Sequence, residues 1–222
     1  MNMVEVIWHG HACFELRGKE TIVVFDPFEG LGIPEPKANA DVVLCSHSHR
    51  DHNNIGPVLK DGGIVLEGFV GSREIQGVSV NGVASFHDAV GGKQRGKNSI
   101  YVVQLDDIRF CHLGDLGHEL TSKHINEIRE IDVLFTPVGG GPTIGPDIAS
   151  SIAKGLDPRI VVPMHYNADI SGQSEWMSSR LYKVDDFVVS SEGNVERTDG
   201  RCFHITKETL PKGRKIIVPS FT

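Results

Sequence analysis

The sequence has no cysteine pair at the spacing of a metal knuckle or a redox motif. Its four cysteines stand at 13, 45, 111 and 202, with no CxxC among them. A chain of 222 residues can build a core without disulfides, so free and mostly buried thiols in a reducing, cytoplasmic setting are expected. No apolar run approaches the roughly 20 residues that span a bilayer. No basic segment precedes an apolar stretch at the N-terminus, so neither a membrane span nor a signal peptide is expected. Basic excess is missing too. The formal net charge is −7, and the densest Lys/Arg stretch, Lys93 to Lys97, is one short loop. Two Trp and three Tyr give no stripe on which bases could stack. A general nucleic-acid binder is therefore disfavoured.

Linkers, low-complexity segments and sequence repeats are also lacking. The expectation is one domain over residues 1–222, with two faintly symmetric halves of about 1–95 and 96–222, each ending apolar strands in His or Asp. Hydrophobic residues make up 39% of the chain, enough for a large interior, and 25 Gly with 11 Pro imply many tight connections. Strands are expected at 4–8, 12–16, 21–25, 42–45, 64–67, 79–84, 99–105 and 108–111, with hairpin turns around Gly82 and Asp106-Asp107. A short helix is expected at 53–59. The second half alternates: helices at 122–129, 146–155 and 173–182, the last capped by Ser171, and strands at 133–136, 160–162, 187–190, 201–205 and 215–218. The order implies an α/β fold, with mixed sheets and helices outside them.

What the sequence has in excess is histidine, 11 in all, mostly in loops that directly follow apolar runs. The densest group is His47-Ser48-His49-Arg50-Asp51-His52, entered from the apolar run 42–45. Residues two apart in extended backbone point the same way, so His47 and His49 can hold one ion together. Asp51 and His52 diverge and can serve a second. Imidazole with carboxylate suits Zn²⁺ and other borderline divalent metals. The remaining ligands are expected from distant loops, each after an apolar strand: His87, Asp115 and His165. One ion then takes His47, His49 and His87, the other Asp51, His52 and His165, and Asp115 bridges them. Such a centre stays net positive with a bridging hydroxide as nucleophile, which favours a small anionic substrate.

These residues carry a family resemblance. The HxHxDH run at 47–52 resembles the signature of the metallo-β-lactamase superfamily. More narrowly, the chain resembles the ascorbate-6-phosphate lactonase-like branch of small metal-dependent hydrolases. The matching pieces are Trp8-His-Gly-His-Ala-Cys-Phe, Val24-Phe-Asp-Pro-Phe, Phe86-His-Asp, Arg95-Gly-Lys-Asn-Ser, His112-Leu-Gly-Asp-Leu-Gly, Thr136-Pro-Val-Gly-Gly and Pro163-Met-His-Tyr. The resemblance covers about residues 3–193 and implies a four-layer αββα sandwich with the metal centre at one edge. It implies Zn²⁺ by default, with Mn²⁺, Ni²⁺ or Fe²⁺ as substitutes. It also implies members that hydrolyse lactones, phosphodiesters, thioesters and β-lactams, a few using di-iron redox chemistry. The all-His, two-Asp set here favours hydrolysis, with a small anionic ester, lactone or phosphodiester expected. A nuclease or phosphodiesterase acting on nucleic acid, a non-catalytic metal-binding protein and a homo-oligomer stay open. Residues beyond 193 match least and are expected to add an edge strand pair or a subunit contact.

Asp51 and Asp115 are the expected catalytic carboxylates. For protonation of a leaving group, the bridging Asp115 is a candidate shuttle, and His112, His118 and Tyr166, each adjoining a ligand loop, are further candidates without an order among them. Asp26 is expected to orient His47 or another ligand from behind. The resemblance places the His9–His11 turn near the metals, with His11 either a pocket or hydrogen-bonding residue or a structural turn histidine, and not a direct ligand. Arg95, Lys97 and the glycine loop 139–145 are candidates to hold a remote anion, the alternative being a flexible glycine hairpin with no ligand.

Overall fold

The computed structural model describes residues 2–221, so the first and last positions of the 1–222 span lie outside it. The chain folds into two β-sheets. The first contains β1 (Met3–Gly10), β2 (Cys13–Arg17), β3 (Ile22–Phe25), β4 (Ala40–Cys45) and β5 (Leu59–Glu67) in sequence order. The second contains β6 (Gly71–Ile75), β7 (Val78–Phe86), β8 (Lys97–Leu105), β9 (Ile108–His112), β10 (Val133–Pro137) and β11 (Ile160–Met164). Three late strands complete them. β12 (Asn194–Arg197) forms an edge of the second sheet beside β14 (Lys215–Val218), which pairs with β11, while β13 (Cys202–Thr206) joins the first sheet next to β1.

Alternation along the strands fills two apolar layers. Val23, Phe25, Val42 and Leu44 face the core shared with Phe110, Phe135 and Val162 of the second sheet. Their neighbours Val24, Val43 and Cys45 point the other way, into a smaller cluster closed by Met177 and Leu181. This is why these strands read as unbroken apolar runs: both faces are buried. Phe14 stacks on Phe135 across the sheets, with ring centroids 4.2 Å apart. Helices α1 (Ser122–Ile128), α2 (Pro146–Leu156) and α4 (Val184–Ser190) bury Ile128, Ile152 and Phe187 against the outer face of the second sheet. α3 (Glu175–Arg180) buries Met177 on the outer face of the first. The result is the expected αββα sandwich. No helix among the described residues is long and apolar enough to cross a membrane.

Several local expectations are corrected. Residues 53–58 form an irregular loop and a turn and not a helix, and Leu59 already opens β5; Gly56-Pro57 interrupts the segment and the Asn54 N–H donates to the Pro27 carbonyl instead. Residues 187–190 belong to a helix. Their β-branched character is outweighed by burial of Val184 and Phe187 on one helical face and by the Asp186 carboxylate, which accepts the Lys183 N–H at 3.0 Å. Gly82 lies inside β7 opposite Tyr101, where a Cβ would strike the Phe69 carbonyl; the turn joining β6 to β7 is at Gln76-Gly77. β6 and β12 were not anticipated, and α3 is shorter than expected, with Ser174 as its cap in place of Ser171. The hairpin at Asp106-Asp107 is present between β8 and β9, with both residues at positive φ as a tight hairpin turn requires. The tail does add strands, but it divides them between the two sheets.

Candidate metal centre

Five strands end at one edge of the sandwich, and each is followed by a polar side chain. β3 leads to Asp26, β4 to the 47–52 run, β7 to His87, β9 to Asp115 and β11 to His165. The carboxyl ends of parallel strands are where α/β sheets gather ligands. The loop after β4 turns back on itself through the His52 N–H and the His49 carbonyl, 2.8 Å apart. Asp115 is fixed by its N–H to Asn98 Oδ1 at 2.9 Å. Gly114 before it sits at φ +57°, and a Cβ there would collide with Asn98 and Ser46. Only glycine lets this loop approach the 47–52 loop so closely.

The side chains converge. Asp115 Oδ2 lies 3.2 Å from His52 Nε2, 3.2 Å from His87 Nε2 and 3.3 Å from His165 Nε2. His47 Nε2 and His49 Nδ1 are 3.0 Å apart. Three groups have ligand atoms mutually within 4.8 Å: His47/His49/His87, His47/His52/Asp115 and His11/His52/His165. Six of the seven expected ligands are in these groups. Asp51 stands beside them, its Oδ2 3.9 Å from His52 Nε2, with its side chain 32% exposed.

Asp26 organises the floor. Its Oδ1 accepts from Ser46 N at 2.6 Å, and its Oδ2 from Ser46 Oγ at 2.7 Å and His52 Nδ1 at 3.0 Å. A hydroxyl has one proton to give. If Ser46 Oγ gives it to Asp26, it must accept from His47 Nδ1, which is 2.8 Å away. Both His47 and His52 then carry their proton on Nδ1 and present a bare Nε2 to the cluster. The sequence expectation for Asp26 named His47 or another ligand; the geometry gives it His52 directly and His47 through Ser46.

That arrangement fits a cation. In the neutral tautomer, His52 Nε2 aims a lone pair at a carboxylate oxygen 3.2 Å away, which is repulsive unless positive charge stands between. Asp115 Oδ1, both ring nitrogens of His165 and Nδ1 of His11 and His87 are buried and make no hydrogen bond among the described residues. Buried polar atoms left so are costly. Burial, with His52 as the next cause, lowers the His47 imidazole to about 3. Burial and His165 lower His11 to about 4. These rings hold lone pairs at neutral pH. Burial also opposes charge on His52, but Asp115 and Asp26 outweigh it and raise that ring well above the usual histidine range, while Asp115 is held well below the carboxylate range by His165 and His52 against its own burial. A +2 ion among them would serve the same electrostatic need as that proton.

Other expected residues fall elsewhere. His112 is fully buried, stacked on Phe25 with centroids 4.8 Å apart; its Nε2 lies 2.9 Å from the Ala12 carbonyl and its Nδ1 accepts from Gly114 N at 3.1 Å. Both nitrogens serve the backbone, so the role of proton donor expected of His112 does not fit its placement. His118 accepts from Phe86 N at 3.2 Å, and Tyr166 stacks on Trp8, 5.6 Å between centroids. His9 turns outward to Glu15 at 2.8 Å. In the glycine loop, the N–H groups of Gly140, Thr143 and Ile144 are spent on the carbonyls of Ile144, Gly140 and Leu116, which removes them as an anion cradle. Arg95 and Lys97 do line a cavity of about 310 Å³ together with His47, His49 and Glu67. The residue that sequence reasoning undervalued is His11. Its signal was the Gly10-His11 pair directly after an apolar strand, the placement shared by the other ligands.

A family profile of the β-lactamase superfamily domain matches residues 5–165. The chain belongs to the metallo-β-lactamase superfamily. It is 33% identical over 195 residues to a UPF0173 metal-dependent hydrolase of Thermococcus onnurineus, covering 74% of this chain and 85% of that one. A similarly named protein of Thermoplasma volcanium is 30% identical over 191 residues, 74% and 84% of the two chains. Among solved structures, a candidate Zn-dependent hydrolase of the superfamily from Thermotoga maritima superposes with a TM-score of 0.80 at 36% identity, over 99% of this chain and 100% of that one. On this fold the chain carries the clustered histidines, with Asp115, of a metal-dependent hydrolase.

Proposed function

We propose that the protein is a dinuclear hydrolase of a small anionic ester, lactone or phosphodiester. The observation that carries the reading is the position of Asp115 Oδ2, 3.2–3.3 Å from imidazole nitrogens on both sides of the cluster. His47, His49 and His87 would hold one ion, Asp51, His52 and His165 the other, with Asp115 shared; zinc is our preferred metal. Bound there, two divalent ions would acidify a water molecule to a pKa of about 7 and offset negative charge growing on the reacting oxygen.

The chain's own residues do the rest. Asp26 and Ser46 keep His47 and His52 in the tautomer that offers Nε2. Asp51 stands at the rim, half-exposed, where it can orient the attacking water and take its proton. Desolvation raises the Asp51 carboxyl, but His11 and His52 together hold it below its ordinary value, so it is ionised for that task. Asp88 shapes the anion-facing loop: its carboxylate accepts the N–H groups of Val90, Gly92, Gln94 and Arg95 at 2.8–2.9 Å. That loop presents Arg95 and Lys97 to the cavity beside His47 and His49, which supports an anionic group on the substrate.

The names of the relatives specify no substrate. The lactonase-like motifs therefore support, as our reading, a sugar-phosphate-like lactone or a simple or cyclic phosphodiester ahead of a β-lactam. A single domain working in the cytoplasm belongs to the same reading. The test is a screen of the metal-loaded protein against lactones, phosphodiesters, thioesters and β-lactams. Turnover of an anionic lactone or phosphodiester is expected. Turnover of β-lactams alone, or of long RNA alone, would contradict the substrate assignment.

A further inference from the structure

The turn between β1 and β2 carries a buried imidazole that neither ligand set uses. We infer that His11 is a direct protein ligand of the ion held by His52 and His165. The inference rests on the dinuclear reading and adds a residue to it.

Distance is the first argument. His11 Nε2 lies 3.3 Å from His52 Nε2, and the ligand atoms of His11, His52 and His165 are all within 4.8 Å of one another. Zn–N bonds of 2.0–2.1 Å in a tetrahedron put neighbouring nitrogens about 3.3–3.4 Å apart. The three rings are 1%, 0% and 0% exposed, whereas the Asp51 side chain is 32% exposed. They form the inner wall of the site, and Asp51 reaches it from the solvent side.

Proton accounting is the second. In the neutral ring, Asp26 keeps the His52 proton on Nδ1, and His52 Nε2 then faces His11 as a lone pair. A hydrogen bond from His11 Nε2–H would consume that lone pair. It would also leave His11 Nδ1 as a buried acceptor without a donor, and His11 Nδ1 makes no hydrogen bond. An ion between the two rings uses the Nε2 lone pairs of both, whereas His11 Nδ1 is unmatched in either arrangement.

The backbone is the third. The β1–β2 pairing shifts register between Trp8 and Gly10. Gly10 has φ +107° and His11 φ +51°, and positive φ is uncommon for a residue other than glycine. The His11 carbonyl is clamped by Trp8 Nε1 at 3.1 Å and by the His165 N–H at 3.2 Å. His165 is itself left-handed, at φ +52°. Two strained residues from opposite sheets are thus tied at the backbone, with ring centroids 4.2 Å apart. A packing histidine has no need of such a device; strain of this kind concentrates at ligand sites.

The test uses the full-length protein loaded with Co²⁺, whose visible absorption reports its ligands. Wild type, His11→Ala, His11→Gln and Asp51→Ala are titrated against a competing chelator, with far-ultraviolet circular dichroism as the fold control. Wild type should hold two ions. His11→Ala and His11→Gln should keep one and bind the second more than about 100-fold more weakly, beyond the range of a residue acting through another ligand, with altered bands for that site. Asp51→Ala, which removes a proposed ligand of the same ion, should weaken that site as well and sets the benchmark for a lost ligand. If His11→Ala fails to fold, His11→Gln decides, because its amide keeps a polar side chain of similar reach at the turn but is a poor metal ligand. Variants that bind two ions with wild-type affinity and unchanged bands overturn the inference. So does a weakening under about 100-fold with unchanged bands, which would make His11 a positioning residue. Wild type holding fewer than two ions would instead overturn the dinuclear reading itself, and the inference with it.

Discussion

Asp26 Oδ2 and His52 Nδ1 are 3.0 Å apart with both side chains fully buried. The contact makes Asp26 the determinant of which nitrogen His52 presents to the cluster. Asp26 pays for this with a left-handed backbone, φ +43°.

Replacing Asp26 with Asn should weaken metal binding by about 10–100-fold, the usual effect of losing a hydrogen-bonded partner behind a ligand. Both ions should be affected, because Ser46 extends the same carboxylate to His47. Chelator competition on purified protein measures this. Unchanged affinity for both ions would remove Asp26 from the account.

Asp51→Ala should reduce turnover by at least about 10²-fold, as loss of a group acting on the reacting water typically does, while the thermal midpoint of the apo-protein shifts little. The half-exposed side chain contributes little packing. Turnover at the wild-type level would exclude Asp51 as a required group, and loss of the fold would make its role structural.

The paired substitution Arg95→Ala with Lys97→Ala should raise KM for an anionic substrate by about 10-fold, with a smaller change in kcat, the pattern of lost uniform binding. The effect should shrink at high ionic strength, because both groups are exposed. A neutral analogue should show no change. Equal effects on charged and neutral substrates would argue against an anion subsite.

Away from the metals, Glu15 gives a pH-dependent stability. Burial raises its pKa, but hydrogen bonds from His9 and Arg17 outweigh it and hold the carboxyl below its ordinary value. A lowered folded-state pKa means stability that is full above the unfolded value of about 4.3 and lost as pH falls through the folded value. Glu15→Gln should therefore cost about 1 kcal/mol at pH 7, kept modest because Arg17 is 46% exposed. The gap from wild type should close below about pH 4. Denaturant unfolding at several pH values measures it, and a gap that widens toward acid would reverse the sign of the argument.

The sequence made the strand-end logic legible because it needs only apolar runs followed by His or Asp. It could not show which of two neighbouring carboxylates or imidazoles lies deeper. That depends on the register shift at Gly10 and the left-handed turn at His11, which bring His11 inward while Asp51 stays at the rim. The His112 expectation failed for a similar reason. Adjacency to the Asp115 loop was visible, but stacking on Phe25 and the Ala12 carbonyl comes from another sheet. Residues 187–190 read as a strand from their valines, whereas burial of Val184 and Phe187 on one face is a tertiary fact. The glycine loop looked like an anion cradle until its N–H partners could be counted.

The most direct test of the central claim is the metal content of wild-type protein purified without chelator. Elemental analysis should find close to two transition-metal ions per chain, falling in Asp115→Ala because the shared ligand is gone. One ion per chain in wild type would remove the bridging role of Asp115, and no bound metal at all would contradict both the centre and the hydrolase built on it.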